Sequence, residues 1–271
     1  MTYTFGDNLA TGRRAWELGH QIADAADRLG KTPALDVRPE DADVVYTLYG
    51  WWRFVVRSSR AYWLAWENGY SVESLPLVRN ILDHTVSMMW LHDGGELALT
   101  VVWNAGETHR NKLIRNVVDT GWHTAKDLET TSSPLALIPT PDENDPTYPA
   151  YQKLLGEFTH VDQLMAAYGR STDYPVYRTL SAYSHASAQS ANRYLEMKDG
   201  QVGVRLEPQR TDSHGPIIHI AMALIQAGDV ISSCLARDPL RQLLERAARD
   251  IGLGAPELLR AARKKALPTN P

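Results

Sequence analysis

The chain has a single cysteine, Cys234, among its 271 residues, which excludes an internal disulfide scaffold. A chain of this length buries a substantial core without such links. A lone thiol in an apolar helical stretch points to a reducing compartment, and the expected location is the cytoplasm. Met1 to Leu9 lack a basic segment leading into an apolar one, so no secretory leader is expected. An uninterrupted run of the roughly 20 apolar residues that a membrane span needs is missing too. The most apolar stretch, Ile217 to Ala227, is broken by His219 and Gln226 and reads as a core helix, so no membrane is expected as a partner. The net charge of -4 argues against a protein that coats nucleic acid, although a local basic face is compatible with it. There is no phosphate-binding glycine loop, no nucleophile elbow and no cysteine pair, and Gly252-Leu253-Gly254 stands alone.

What the sequence does have is apolar periodicity at helical spacing. It predicts an all-α fold, a bundle of about eight helices with one short β-hairpin insertion, in a single domain over 1–271. Trp16, Ile22, Ala23, Ala26 and Leu29 define a first helix that stops at Gly30. A second runs from Glu40 to Asn68-Gly69 with the stripe Val45, Leu48, Trp52, Val55, Val56, Trp63 and Trp66. A third carries Leu75, Val78, Leu82, Val86, Met89 and Trp90 and ends at His92-Asp93-Gly94-Gly95. A fourth covers approximately Glu96 to Thr130, with Gly106 or Gly121 as its kink points, since glycine weakens a helix by ~1 kcal/mol relative to alanine. Prolines 134, 139, 141, 146 and 149, with Asp142, Glu143 and Asp145, predict a long loop near 132–150. Helices follow over Tyr151 to Tyr168 and from the Asp173 cap onward to about Tyr194. Asp199-Gly200 and the alternating Val202, Val204 and Leu206 predict a hairpin near 200–207. Helices from His214 to Ala236, Pro239 to Ile251 and Pro256 to Leu267 complete the chain.

On a wheel at roughly 100° per residue, Tyr174, Arg178, Ser181, His185 and Asn192 fall on one stripe of the helix that starts at Asp173. Arg178 and His185 are two turns apart, so both could reach one ligand. An arginine fork holds phosphate charge and a histidine moves a proton, a pairing suited to metal-free phosphodiester cleavage. The alternative is a solvated face or a polar contact between helices. Arg79 falls inside the apolar stripe of the third helix and needs partners. Asp83, one turn on, is the expected ion-pair partner, either holding the bundle's register or lining the cavity of His185. His84 is expected to face solvent. Arg53, Arg57 and Arg60 share a face with Tyr46 and Tyr49, which could track a nucleic-acid backbone or simply pair with neighbouring acids. Arg260, Arg263, Lys264 and Lys265 read as a solvated helix end.

Glu17-x-x-His20 and Glu157-x-x-His160 match the spacing of helical di-iron bundles, which raises a metal-dependent oxidase as a further reading. Glu157 and His160 lie on the flank of their helix, and no lone glutamate precedes the first pair. No metal and no cofactor are therefore expected. A serine hydrolase built on Ser181 and His185 would lack an oxyanion hole and an orienting acid.

The segment Tyr177-Arg178-Thr179-Leu180-Ser181-Ala182-Tyr183-Ser184-His185 resembles the Y-x-x-L-S-x-x-x-H signature of an uncharacterised family of helical bacterial proteins. Leu77-Val78-Arg79-Asn80-Ile81-Leu82-Asp83 resembles that family's leucine-arginine helix with a following acid. The likeness extends from about Val44 to Ala236 and implies a fold, not an activity. Arg178 and His185, with six residues between them, are also similar to the arginine and histidine of the HEPN superfamily of helical ribonucleases, although Thr179 departs from the polar amide or acid often found after that arginine. The resemblance implies that Arg178 stabilises phosphate charge, that His185 acts as acid and base, and that the site is composite across a homodimer. The expected function is a metal-independent ribonuclease of this type, of toxin or phage-defence kind, acting on RNA. The alternative is a non-catalytic helical binding or interaction protein, with a ligand or partner protein in the tryptophan-rich interior or on the loop from Ser132 to Ala150; in either case a homo-oligomer, a dimer, is expected.

Overall fold

A computed structural model describes residues 3–32, 34–121, 139–169, 173–209, 213–254 and 258. Among them are nine α-helices, one 3-10 turn and one two-stranded hairpin. The helices are α1 (Leu9–Gly30), α2 (Val45–Glu67), α3 (Leu75–Asp119), α4 (Tyr148–Thr159), α5 (Val161–Tyr168), α6 (Asp173–Ser181), α7 (Ala188–Asn192), α8 (Gly215–Ser233) and α9 (Arg241–Ile251). The 3-10 turn is Pro39–Asp41, and the strands are β1 (Leu195–Lys198) and β2 (Gln201–Val204). The all-α bundle with a small hairpin follows the periodicity of the sequence.

At the centre lies α8, packed against α1, α2, α3 and α9. Its composition explains the position, because Ile220, Leu224, Ile225, Val230 and Ile231 point in several directions and all are fully buried. By length and composition α8 could cross a membrane, but most of it is enclosed by its neighbours. The predicted stripes of α2 and α3 are buried, from Val45 to Trp63 and from Leu75 to Trp90. Trp66 is the exception on α2: near the helix end it is half exposed, and its ring packs 5.2 Å from Trp16. Against α3 also pack α4, α5 and α6, and this places α6 on the outer flank of the bundle.

Several boundaries differ from expectation for local reasons. The expected break between the third and fourth helices is present as a kink within α3 at Gly95, whose φ 57 and ψ -142 are non-helical. Gly121, at φ 71, follows the last helical turn. The loop before α4 ends at Thr147, earlier than predicted, because Pro149 fits the first helical turn. Its described part is tied down by Asx-type bonds, with the Asn144 amide donating to Asp142 Oδ1 and the Thr147 amide to Asp145 Oδ1, and by Asn104 donating to Thr140 Oγ1. Helices α4 and α5 form in place of one helix because the backbone extends at His160. The expected helical tail over 122–130, the loop residues 132–138 and the terminal helix Pro256 to Leu267 with its basic run lie outside the described residues.

The largest difference concerns the helix that starts at Asp173. It ends at Ser181, not near Tyr194. Short-range bonds from Ala182 and Tyr183 back to Thr179 and Leu180 tighten its last turn, and Ser187 then caps α7 with a capping box to Ser190. Serines that bond locally compete with helix continuation, and Ser187 does so, donating to the Ala182 carbonyl and accepting from the Ser190 amide. The hairpin follows at once, with Asp199 (φ 52) and Gly200 (φ 78) forming the left-handed two-residue turn that such hairpins favour. Its alternating apolar residues do not meet the core: Val202, Val204 and the following Leu206 are exposed.

Candidate functional site

Tyr177 and Ser181 stand one turn apart on the face of α6 that meets α3. That spacing forms a cradle for one guanidinium. Arg79 Nη2 donates to Tyr177 OH at 2.7 Å, and Arg79 Nε donates to Ser181 Oγ at 3.1 Å. The guanidinium carbon also lies 4.9 Å from the centre of the Tyr177 ring. Ser181 Oγ in turn donates to the Tyr177 carbonyl at 2.9 Å. Tyr177, Ser181 and Arg79 thus form one polar joint. Leu180, between Tyr177 and Ser181 in sequence, is buried in the core.

Asp83 does not form the expected ion pair with Arg79: the arginine turns toward α6, and its hydrogen bonds go to Tyr177 and Ser181. Burial pushes the Asp83 carboxyl above the ordinary carboxylate value, against the opposing charges of His84 and Arg79. Burial, followed by the charge of Asp83, likewise pushes up the Tyr177 hydroxyl. His84, expected in solvent, is half buried: its ring stacks on Phe54 at 4.1 Å and its Nδ1 lies 2.8 Å from the Asn80 carbonyl.

The remaining stripe residues separate because the helix ends. Arg178 is exposed on α6, 3.4 Å from the Tyr174 hydroxyl, while Tyr174 itself is half buried. His185 is exposed in the bend between α6 and α7, and Asn192 is exposed at the end of α7. They do not share one helical face with Arg178 and Ser181. The basic face of α2 is largely engaged: Arg53 binds Asp27, and Arg60 binds Asp24 and Asp27, each at 2.7 Å. Arg57 is exposed. The two Glu/His pairs do not form a di-iron centre. Glu157 accepts from Trp90 Nε1 at 3.1 Å while His160 is exposed between α4 and α5, and His20 stacks on Trp63 at 4.0 Å.

On the opposite face of α6 is a pocket with a cavity volume of about 560 Å³. Val176 and Leu180 of α6, Leu75 of α3, and Ile218 and Met222 of α8 form its apolar wall. Polar groups gather at separate points: His219 on α8, Arg193 beyond α7, and Asp7 with Ser213 at the N-terminal side. Asp7 accepts from Ser213 Oγ at 2.8 Å and from the His214 amide at 2.7 Å, which ties the N-terminal segment to the start of α8. Behind His219 lies the buried Asp173, with His219 Nδ1 3.8 Å from its carboxylate. Arg193 Nε donates to Tyr183 OH at 3.0 Å. Sequence reasoning missed this pocket because its lining comes from distant segments. The one available signal was His219 interrupting the most apolar run.

A model of a family of unknown function (DUF5677) matches residues 45–202. The chain belongs to this family. The DUF5677 segment holds both halves of the polar joint, Arg79 on α3 and Tyr177 with Ser181 on α6, as well as Arg178 and His185. The α8 wall of the pocket and the N-terminal residues that close it fall outside the DUF5677 match. No curated protein and no solved structure matches the chain.

Proposed function

We propose that this DUF5677 member is a helical binding protein whose pocket between α6 and α8 takes a small amphipathic anion. The observation that carries this reading is the pocket: about 560 Å³, mostly apolar, with a few polar groups at separate points of its lining. That is the size and composition of small-molecule sites in general. An apolar ligand body fits against Val176, Leu180, Ile218 and Met222, and a single anionic head suits the Arg193 guanidinium. The joint of Arg79 with Tyr177 and Ser181 fixes α6, the wall that separates the pocket from solvent-facing Arg178.

Decanoate, an apolar chain with one carboxylate, is a direct probe by titration calorimetry. One equivalent is expected to bind. Met222→Trp fills the cavity and abolishes binding, while Arg193→Gln weakens it about tenfold, the loss of roughly 1.4 kcal/mol of charge-assisted hydrogen bonding. Unchanged binding in folded Met222→Trp would contradict the pocket as the site.

A second reading, the metal-independent HEPN-like ribonuclease, is favoured by one observation: Arg178 and His185 are both exposed and so open to RNA. In this reading a second copy of the chain completes the site. It requires RNA cleavage in the presence of chelator that is lost in His185→Ala and Arg178→Ala. Cleavage retained in either variant overturns it.

A further inference from the structure

Away from α6, three side chains of different chemistry converge on one point. Asp41 comes from the 3-10 turn, His92 from α3 just before the Gly95 break, and Cys234 from the residue that ends α8. Their potential ligand atoms all lie within 4.8 Å of one another. His92 Nε2 is 3.4 Å from Asp41 Oδ1. Ligand atoms on a tetrahedral zinc ion, at its usual bond lengths, stand roughly 3.5 Å apart, so the Asp41 and His92 atoms already have that spacing. We propose that Asp41, His92 and Cys234 form a site for a borderline divalent transition-metal ion, zinc above all.

The backbone builds this corner on purpose-sized ties. Arg38 N donates to the Cys234 carbonyl at 2.9 Å, Ala236 N donates to the Asp36 carbonyl at 2.9 Å, and Val37 and Leu235 form an isolated antiparallel bridge. Arg38 Nε adds a bond to the Leu235 carbonyl at 3.2 Å. The segment leading to Asp41 is therefore clipped to the end of α8, and both meet α3 at His92. Cys234 is fully buried, and only about a tenth of the His92 and Asp41 side chains reaches solvent. Water competes little for the ligands there.

Charge balance favours a divalent ion. Binding breaks the Cys234 S–H bond, forms a sulfur–metal bond and sends the proton to solvent. The thiolate and the Asp41 carboxylate then carry two negative charges against the ion's two positive ones, and His92 binds as neutral imidazole through Nε2. The buried corner ends with no net charge, which avoids the cost of an uncompensated one. A mixed sulfur, nitrogen and oxygen set selects zinc or cobalt over calcium or magnesium, which prefer oxygen alone. Ser233 Oγ, 3.4 Å from His92 Nε2, sits beside the ligands.

Cobalt(II) is the decisive probe, because Cys234 is the chain's only thiol and any thiolate-to-cobalt charge-transfer band must come from it. Chelator-treated full-length protein titrated with cobalt is expected to develop that near-ultraviolet band to a stoichiometry of one, with visible bands of a four-coordinate ion. Zinc should then displace it and raise the thermal midpoint. Cys234→Ser, an isosteric change, is expected to lose the band and the zinc-dependent midpoint shift, whereas His160→Ala keeps both. Wild-type protein that shows no charge-transfer band at saturating cobalt overturns the proposal whether or not the variants fold. A band that survives in Cys234→Ser overturns it equally.

Discussion

At the scale of single residues, Arg79 is the clearest case of a sequence signal that the structure explains in a different way from the one expected. An arginine in an apolar stripe must find partners. The acid four positions on was the obvious choice, and Tyr177 and Ser181, about a hundred positions away, are the actual one. Arg79→Met leaves the buried Tyr177 hydroxyl and the Ser181 hydroxyl without their donor and should cost about 2–3 kcal/mol in urea unfolding. Arg79→Lys should recover only part of that, since an ammonium cannot fork to both oxygens. Full recovery by lysine would mean that charge alone, not the fork, is what the joint uses. Asp83 supplies a pH-dependent counterpart. Burial raises its folded-state pKa above the unfolded value, so the neutral form is favoured on folding. The resulting stability is fully present below the unfolded value, about 3.9, and is lost as pH rises through the raised folded value. Asp83→Asn should therefore stabilise the protein at pH 7 and lose that advantage by about pH 3.5, as measured by urea midpoints at the two values. An advantage that is equal at both pH values would show that the carboxyl's ionisation is not involved.

At the scale of elements, legibility in the sequence followed the length of the periodic pattern. Helices α1, α2, α3 and α8 carry apolar residues over several turns, and their stripes were readable because long amphipathic elements leave many independent marks. The segment after Ser181 was not. The wheel projected one helix through His185 to Asn192, but short-range backbone bonds from Ala182, Tyr183 and Ser184 and the Ser187 cap of α7 end α6 before the weak apolar signal beyond it. That error moved His185 off the face of Arg178. The hairpin was legible from its Asp-Gly turn and alternation, and its Val202 and Val204 are exposed, not packed on the core. The contrast between α8 and the hairpin gives a prediction. Leu224→Ala, at a fully buried site, should cost about 3–4 kcal/mol in equilibrium unfolding. Met197→Ala, at a residue 70% exposed, should change stability by less than about 0.5 kcal/mol. A large effect at Met197 would require that the hairpin is covered in solution by something beyond this chain.

At the scale of the whole molecule, the DUF5677 segment supplies the α2–α3 scaffold and the α6 joint, while the flanking N-terminal segment and α8 complete the pocket. The pocket exists only where these parts meet, which is why no local motif announced it. The same holds for Asp41, His92 and Cys234, whose positions in sequence give no hint that they share a corner. Both features depend on α8, so the central helix organises the interior and also sets the chemistry at its two ends, with His219 and Met222 toward one and Cys234 at the other. The central claim, a ligand held between α6 and α8, is tested most directly by methyl resonances of 13C-methionine-labelled protein titrated with decanoate. The account predicts that Met222 shifts with saturation at one equivalent, while Met88, Met89 and Met165, buried in the core away from the pocket lining, hold their positions. A Met222 signal that stays fixed through a saturating titration would contradict it.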